Sequence, residues 1–100
     1  MLITEKDIEL YLKSRAEHFG GRCLKLPAVY EDGIPDRLVI LPGGLMAFAE
    51  VKRPQGGKIS KIQEYQIDKL RSLGCIAEVV KNYNEVDALL VKMMNNGKTL

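Results

Sequence analysis

Histidine and cysteine, from which most zinc sites and His-based catalytic triads are built, are scarce in this sequence of 100 residues. His18 is the only histidine, so neither kind of site has the side chains it needs. The two cysteines, Cys23 and Cys75, lie far apart in apolar segments and without a C-x-x-C spacing. We therefore expect two reduced thiols in the core, and neither a disulfide nor a metal-binding pair.

Several other signals are missing. No apolar run approaches the roughly 18 residues of a membrane span, and the polar N-terminus is not typical of a signal peptide, so we expect a cytoplasmic protein. A Gly-rich phosphate loop and a nucleophile with a neighbouring base are also missing, which disfavours a small-molecule enzyme. The net charge of +2 allows a nucleic-acid partner without arguing for one.

The patterns that are present predict one domain, residues 1–100, with the element order α-β-β-β-α-β-α. Helix caps, glycine stops and apolar spacing place the first helix from Thr4 to Gly20 and the second from Ser60 to Gly74. The apolar positions of the second helix are Ile62, Tyr65, Ile67, Leu70 and Leu73. The strands fall at 22–26, 36–41, 45–52 and 75–80, and a third helix begins at Asn84. We expect an α/β sandwich with a mixed four-stranded sheet flanked by helices.

The stretch 33–52 carries the candidate site. It consists of a loop, a strand, a turn at 42–44 and a second strand. Side chains two apart share one face of a strand, so Glu50 and Lys52 lie together with Met46 and Phe48, and both faces of this strand look covered. Asp36 lies near them on the neighbouring strand. Buried charges are costly unless they are paired or metal-bound, so function is to be sought here.

The chemistry of Asp36, Glu50 and Lys52 leaves two interpretations. The two carboxylates are hard oxygen donors that suit Mg²⁺ or Mn²⁺. Lys52 could then orient or deprotonate a metal-bound water, or neutralise charge in the transition state, as phosphodiester hydrolysis requires. Alternatively, Glu50 and Lys52 form a plain ion pair at the rim of the sheet, and Asp36 is a turn residue.

The full set of motifs resembles the PD-(D/E)XK nuclease superfamily, whose fold is restriction-endonuclease-like, and within it the VRR-NUC branch. The similarity covers nearly the whole chain. Its motifs are the E-K-D-I-E opening at 5–9, G-x-P-D-R-L-V at 33–39, the Pro-Gly-Gly turn at 42–44, F-x-E-x-K at 48–52, a Gly-containing loop at 56–57 and S-x-x-Q at 60–63.

The resemblance implies a role for each matching residue. Asp36 and Glu50 would bind the metal ion together with the backbone carbonyl of Val51, and Lys52 would be the catalytic lysine. A glutamate of the first helix would complete the site; Glu5 and Glu9 share a face, and we favour Glu9. Gln63 would be the family's catalytic glutamine, the third residue of a capping box, or both.

The resemblance also implies the activity. We expect a stand-alone phage or bacterial endodeoxyribonuclease that depends on Mg²⁺ or Mn²⁺, has no small-molecule cofactor, and acts in the cytoplasm of a bacterial or phage-infected cell. Its relatives include Holliday-junction resolvases, so we expect a homodimer that prefers branched DNA. A nuclease for flaps and a non-catalytic nucleic-acid-binding module are the alternatives. The third helix, which lies outside the superfamily core, is a candidate dimer element. The expected contacts to the DNA backbone are Arg37, Arg53, Lys58, Lys61 and Lys25.

Overall fold

The structure is a computed structural model that describes residues 2–27 and 31–97. Its elements follow the predicted order, which confirms the α/β fold. They are α1 (Glu5–His18), β1 (Arg22–Lys25), β2 (Arg37–Leu41), β3 (Leu45–Val51), α2 (Lys61–Ser72), β4 (Ile76–Val80) and α3 (Tyr83–Asn96). The predicted bounds hold to within one or two residues. The cap of α3 differs, because the side chain of Asn82, and not that of Asn84, accepts the hydrogen bond from the backbone N–H of Glu85, at 2.8 Å.

The four strands form one mixed sheet in the order β1-β2-β3-β4. The first three strands are antiparallel, and β4 runs parallel to β3, from which it is separated by the crossover helix α2. A tight turn at 42–44 joins β2 to β3, since Leu41 pairs with Leu45 across it. Gly43 and Gly44 occupy this turn with φ of 88° and 75°, a region that favours glycine. The predicted mixed four-stranded sheet is thereby confirmed.

Helices α1 and α3 cover one face of the sheet and enclose the core. Each contributes an apolar stripe, and alternate residues of the strands complete the cluster. Its fully buried members from the helices are Ile8, Leu12, Ala16, Val86, Leu89, Leu90 and Met93. Because α3 uses its apolar stripe in this core, it is part of the folded domain, and its role as a dimer element stays a prediction.

The opposite face of the sheet is covered in part. Helix α2 packs against β4, where Ile67 and Ala77 are buried. Apart from the buried Glu50, the side chains on the β1, β2 and β3 part of this face are half-buried or exposed, and Met46 is 53% exposed. We call this apolar surface the open face; it consists of Leu24, Leu38, Ile40, Met46 and Phe48. The prediction that both faces of β3 are covered is therefore wrong at its amino-terminal end.

Two further expectations about burial need correction. Cys23 is a half-buried free thiol, and its burial raises the pKa of the thiol to about 11. Cys75 lies exposed beside Gly74 and is not in the core. In α2, the side chains of Ile62, Tyr65 and Leu73 are exposed because the helix buries only a narrow stripe against β4. In the part of the chain that the structure describes, no helix is long and apolar enough to cross a membrane.

Candidate active site

Asp36 and Glu50 face each other at one end of the sheet and hold each other in place. The strand register pairs Arg37 with Ala49, which brings Asp36 opposite Glu50. The backbone N–H of Asp36 donates to Oε1 of Glu50 at 3.2 Å, and the backbone N–H of Val51 donates to Oδ1 of Asp36 at 3.1 Å. The two carboxylates thereby continue the strand pairing at the sheet rim.

The carboxylate of Glu50 is the most buried acid of this group, with only 5% of the residue exposed. Burial raises its pKa above the ordinary value, and the negative charge of Asp36 raises it further. The ammonium of Lys52 opposes this shift, with its Nζ 3.4 Å from Oε2 of Glu50. A buried carboxylate beside a second one is stabilised by a cation. Two carboxylates and an adjacent backbone carbonyl therefore fit Mg²⁺ or Mn²⁺, which binds to proteins through one or two carboxylates and keeps several waters.

Gln63 forms the predicted capping box and also contacts Glu50, while its catalytic role stays a prediction. Its backbone N–H donates to Oγ of Ser60 at 3.2 Å, and its Oε1 accepts from the backbone N–H of Ser60 at 2.9 Å, which completes a capping box. The amide nitrogen of the same side chain donates to Oε2 of Glu50 at 3.2 Å. The start of α2 and the orientation of Glu50 are therefore fixed by one amide.

Of the two glutamates of α1, Glu9 is the one that the structure connects to the strand carboxylates. Oε2 of Glu9 lies 2.8 Å from Nη2 of Arg37, whereas Glu5 is exposed in the first turn of the helix. Burial raises the pKa of Glu9, but the charge of Arg37 and its hydrogen bond outweigh this effect, so the pKa lies below its ordinary value. Lys6 adds to the lowering. Glu9 is thus held as an anion next to the rim.

Arg37 does not offer a free cation to a phosphate, contrary to expectation. Its side chain is 6% exposed, and Nη1 lies 3.1 Å from Oδ2 of Asp36 and 3.0 Å from the backbone oxygen of the same residue. With Nη2 on Glu9, both ends of the guanidinium are engaged. Among residues 2–27 and 31–97, no three acidic, histidine or cysteine side chains gather in a group that could hold a metal ion. Asp36 and Glu50 form a pair, and Glu9 is bound to Arg37 instead.

The other expected cations lie at the surface around the rim. Lys58 and Lys61 are exposed, and Arg53 is exposed with its Nε bonded to the backbone oxygen of Gln55 at 2.9 Å. A groove that Lys58 lines also contains Val79, the strand partner of Glu50. On the other side of the sheet, Lys25 lines a cleft that contains Glu9 and Arg37. The site is therefore flanked by a basic groove on each side.

Sequence reasoning missed two lysines in these grooves. Lys81 lines the groove of Lys58, and Lys13 lines the cleft of Lys25. Lys13 follows Glu9 by four residues, so helical periodicity alone would have placed both side chains on one face. Lys81 follows β4 directly, and it could have been found only by knowing that β4 runs parallel beside β3.

Comparison with known proteins places this chain in a family. No family model matches the sequence. A protein of Acyrthosiphon pisum secondary endosymbiont phage 1, named "Putative nuclease p44", is 40% identical over 73 residues, which are 73% of this chain and 77% of the phage protein. A solved structure described as "VRR_NUC domain" matches with a TM-score of 0.80 and 34% identity over 89% of this chain and 97% of the other. The domain is thus of nuclease type. The chain belongs to the VRR-NUC family, as a nuclease of the phage type.

Proposed function

We propose that this chain is a metal-dependent DNA endonuclease whose single nuclease domain spans residues 1–100. The observation that carries the proposal is the meeting of Asp36, Glu50, Lys52 and Gln63 at one rim of the sheet, with Glu50 buried. Asp36, Glu50 and the backbone carbonyl of Val51 would hold Mg²⁺ or Mn²⁺. Such an ion supplies Lewis-acid stabilisation of the phosphate and a water of lowered pKa.

Lys52 is the catalytic cation in this proposal. It directly follows β3, and its partly buried ammonium is fixed beside Glu50 at 3.4 Å. A fixed cation at this place can hold the attacking water or stabilise the negative charge that develops on the phosphate oxygens. Gln63 keeps the Glu50 carboxylate in one orientation from the start of α2. The proposed role of Glu9 is exerted from α1 through Arg37.

The DNA substrate is bound through its phosphate backbone. Arg53, Lys58 and Lys61 follow the active site along the chain and lie exposed, and Lys25 lies on the other side. Phosphate contacts supply affinity without sequence information, so cleavage depends on the structure of the DNA more than on its sequence. Branched DNA is the substrate that the resemblance to the VRR-NUC branch implies, and a flap is the alternative branched substrate.

Two symmetric cuts in one branched substrate require two active sites, and we therefore propose a homodimer. The open face offers a surface for a second copy, because its five side chains are apolar, and the exposed Arg22 lies at its edge beside Ile40. An apolar surface that meets its own copy across a two-fold axis is self-complementary. Its three strands end at the rim that carries Asp36 and Glu50, so this contact would place the two active sites on one assembly.

The test is a cleavage assay on a labelled four-way junction and a matched linear duplex, with Mg²⁺, Mn²⁺ or EDTA. We expect symmetric, metal-dependent cuts in the junction that Lys52→Ala slows by about 100- to 1,000-fold. Lys69→Ala, which removes an exposed lysine of α2 outside the site, should cut at the wild-type rate.

Each other result changes a specific part of the proposal. Equal cutting of junction and duplex would remove the preference for branched DNA and leave the nuclease. Cutting of a flap alone would replace the junction as substrate. Tight binding of DNA without cleavage in either metal would favour the non-catalytic binding module.

A further inference from the structure

Arg37 is the one cation of the site that lies almost wholly inside the protein, and it stands between two acids from different elements. We propose that its guanidinium serves as the permanent counter-cation of Glu9, so that the site binds one divalent ion, on Asp36 and Glu50, and not two. This inference rests on the proposed metal dependence. It assigns Arg37 a positioning role and removes Glu9 from the metal ligands.

The first argument is geometric. Nη2 of Arg37 lies 2.8 Å from Oε2 of Glu9, which is a short charge-assisted contact, and Nη1 lies 3.1 Å from Oδ2 of Asp36. A guanidinium is planar and fixes its N–H groups in one plane, so this bridge sets the position of α1 relative to the start of β2. A second metal ion that used Glu9 would have to displace the guanidinium from both carboxylates.

The second argument is the composition of the cluster. When fully ionised, the three carboxylates of Glu9, Asp36 and Glu50 face three cations, because Lys6 lies 3.4 Å from Glu9 in addition to Arg37 and Lys52, so the cluster carries no net charge. One divalent ion already makes it positive. A second divalent ion would lie beside the positively charged guanidinium of Arg37 and would be repelled by it.

The third argument is that the acidic side chains of the site do not gather into one group of three. No group of three potential ligand side chains forms within residues 2–27 and 31–97, although Glu9, Asp36 and Glu50 are all connected through hydrogen bonds. Glu9 is connected to Asp36 only through the guanidinium of Arg37 in these contacts. Asp36 and Glu50, in contrast, are linked directly, because the backbone N–H of Asp36 donates to Glu50 and that of Val51 donates to Asp36.

The experiment counts Mn²⁺ ions bound per chain by electron paramagnetic resonance, on the full chain without DNA. We expect one ion for the wild type and one for Arg37→Lys, which keeps the positive charge. Arg37→Gln removes the guanidinium from Glu9, leaves only the exposed Lys6 beside it, and should bind a second ion. The double variant Arg37→Gln with Glu9→Gln should return to one ion, because the ligand of the second ion is then missing.

A variant that keeps Arg37 protects the test against misfolding of Arg37→Gln. Glu9→Gln should still bind one ion, with a Kd raised by at most about 10- to 100-fold, whereas Asp36→Asn should lose the ion. Two ions on the wild type, a single ion on folded Arg37→Gln, or loss of the ion in Glu9→Gln would each overturn the inference. Absence of any bound ion on the wild type would instead refute the proposed metal dependence itself.

Discussion

At the scale of single residues, Glu50 is placed where a carboxylate costs the fold stability. Its pKa is raised by burial first and by Asp36 second, so the folded chain binds this proton more tightly than the unfolded chain. The free energy of unfolding must therefore fall as the pH rises from the ordinary carboxyl pKa of 4.5 through the higher folded value. Glu9, whose pKa is lowered, contributes the opposite slope below that ordinary value.

We expect Glu50→Gln to abolish this decline, because the amide keeps an acceptor for the backbone N–H of Asp36 and carries no charge. Urea denaturation in EDTA, at a series of pH values from about 4 to 8, measures it. The wild type should lose stability relative to the variant as the pH rises. Parallel pH curves for the two proteins would show that Glu50 does not titrate abnormally.

Gln63 allows its two roles to be separated by substitution. Ser60→Ala removes only the cap, so we expect a loss of about 1 kcal/mol in unfolding free energy and an unchanged cleavage rate. Gln63→Glu keeps an acceptor for the backbone N–H of Ser60 but places a carboxylate against Glu50. Cleavage should then fall about 10- to 100-fold, as for other groups that orient a metal ligand. A slow Ser60→Ala enzyme would mean that the cap and the site are not separable.

At the scale of elements, the loop before β2 packs on α2. This contact holds the segment that leads to Asp36 against the helix that carries Gln63. The amide of the buried Gln66 donates to the backbone oxygen of Asp32 and to Oε1 of Glu31, both at 3.1 Å. Gly33 has a φ of 82°, and a Cβ there would lie 2.7 Å from the backbone oxygen of Ile62. The loop therefore fits against the helix only with glycine at this position.

Gly33→Ala should lower the unfolding free energy by about 2–3 kcal/mol and reduce cleavage with it, since the backbone conformation and the contact with α2 are both strained. Gly43→Ala is the matched control. Its φ is 88°, but nothing lies within 4 Å of a Cβ there, so only the conformational cost of about 1–2 kcal/mol applies. Equal losses of unfolding free energy in the two variants, measured by chemical denaturation, would show that the close approach of residue 33 to α2 does not affect stability.

The sequence predicted the elements well wherever a local signal defined them. Thr4 and Ser60 cap their helices as expected, whereas the start of α3 was placed at Asn84, since two asparagines two residues apart give the same signal. The exposure of Ile62 and Tyr65 was not predictable, because it depends on which strand α2 packs against.

The residues of the candidate site likewise fall into two groups: those that a local sequence motif predicts and those that only the folded structure brings together. Asp36, Glu50, Lys52 and Gln63 lie in local motifs that can be found in the sequence. The bridge from Glu9 through Arg37 joins residues 28 positions apart, since it runs from position 9 to position 37, and it forms only when α1 docks on the sheet. The sequence therefore predicts Arg37 to be a surface cation, and neither composition nor spacing indicates that its side chain is buried.

At the scale of the whole molecule, the proposed dimer makes a direct prediction. Met46→Glu places a charge on the open face, so we expect it to convert a dimer into a folded monomer in light scattering, because a buried unpaired charge is costly. Val91→Glu is the control, since Val91 on α3 is 52% exposed, close to the 53% of Met46. A monomeric Met46→Glu enzyme should cut one strand of a junction without a symmetric partner cut. A dimeric one would exclude the open face as the interface.

The reciprocal backbone contacts of Asp36 and Glu50 have a consequence for how this protein can evolve. The two acids that we assign to chemistry also accept the last N–H groups where β2 and β3 meet at the rim. A descendant that lost both carboxylates would lose these strand-end bonds as well, and with them part of its margin of stability. Selection for a stable fold and selection for activity therefore act on the same two positions. A copy of this gene that lost both carboxylates would encode a protein that is less stable as well as inactive.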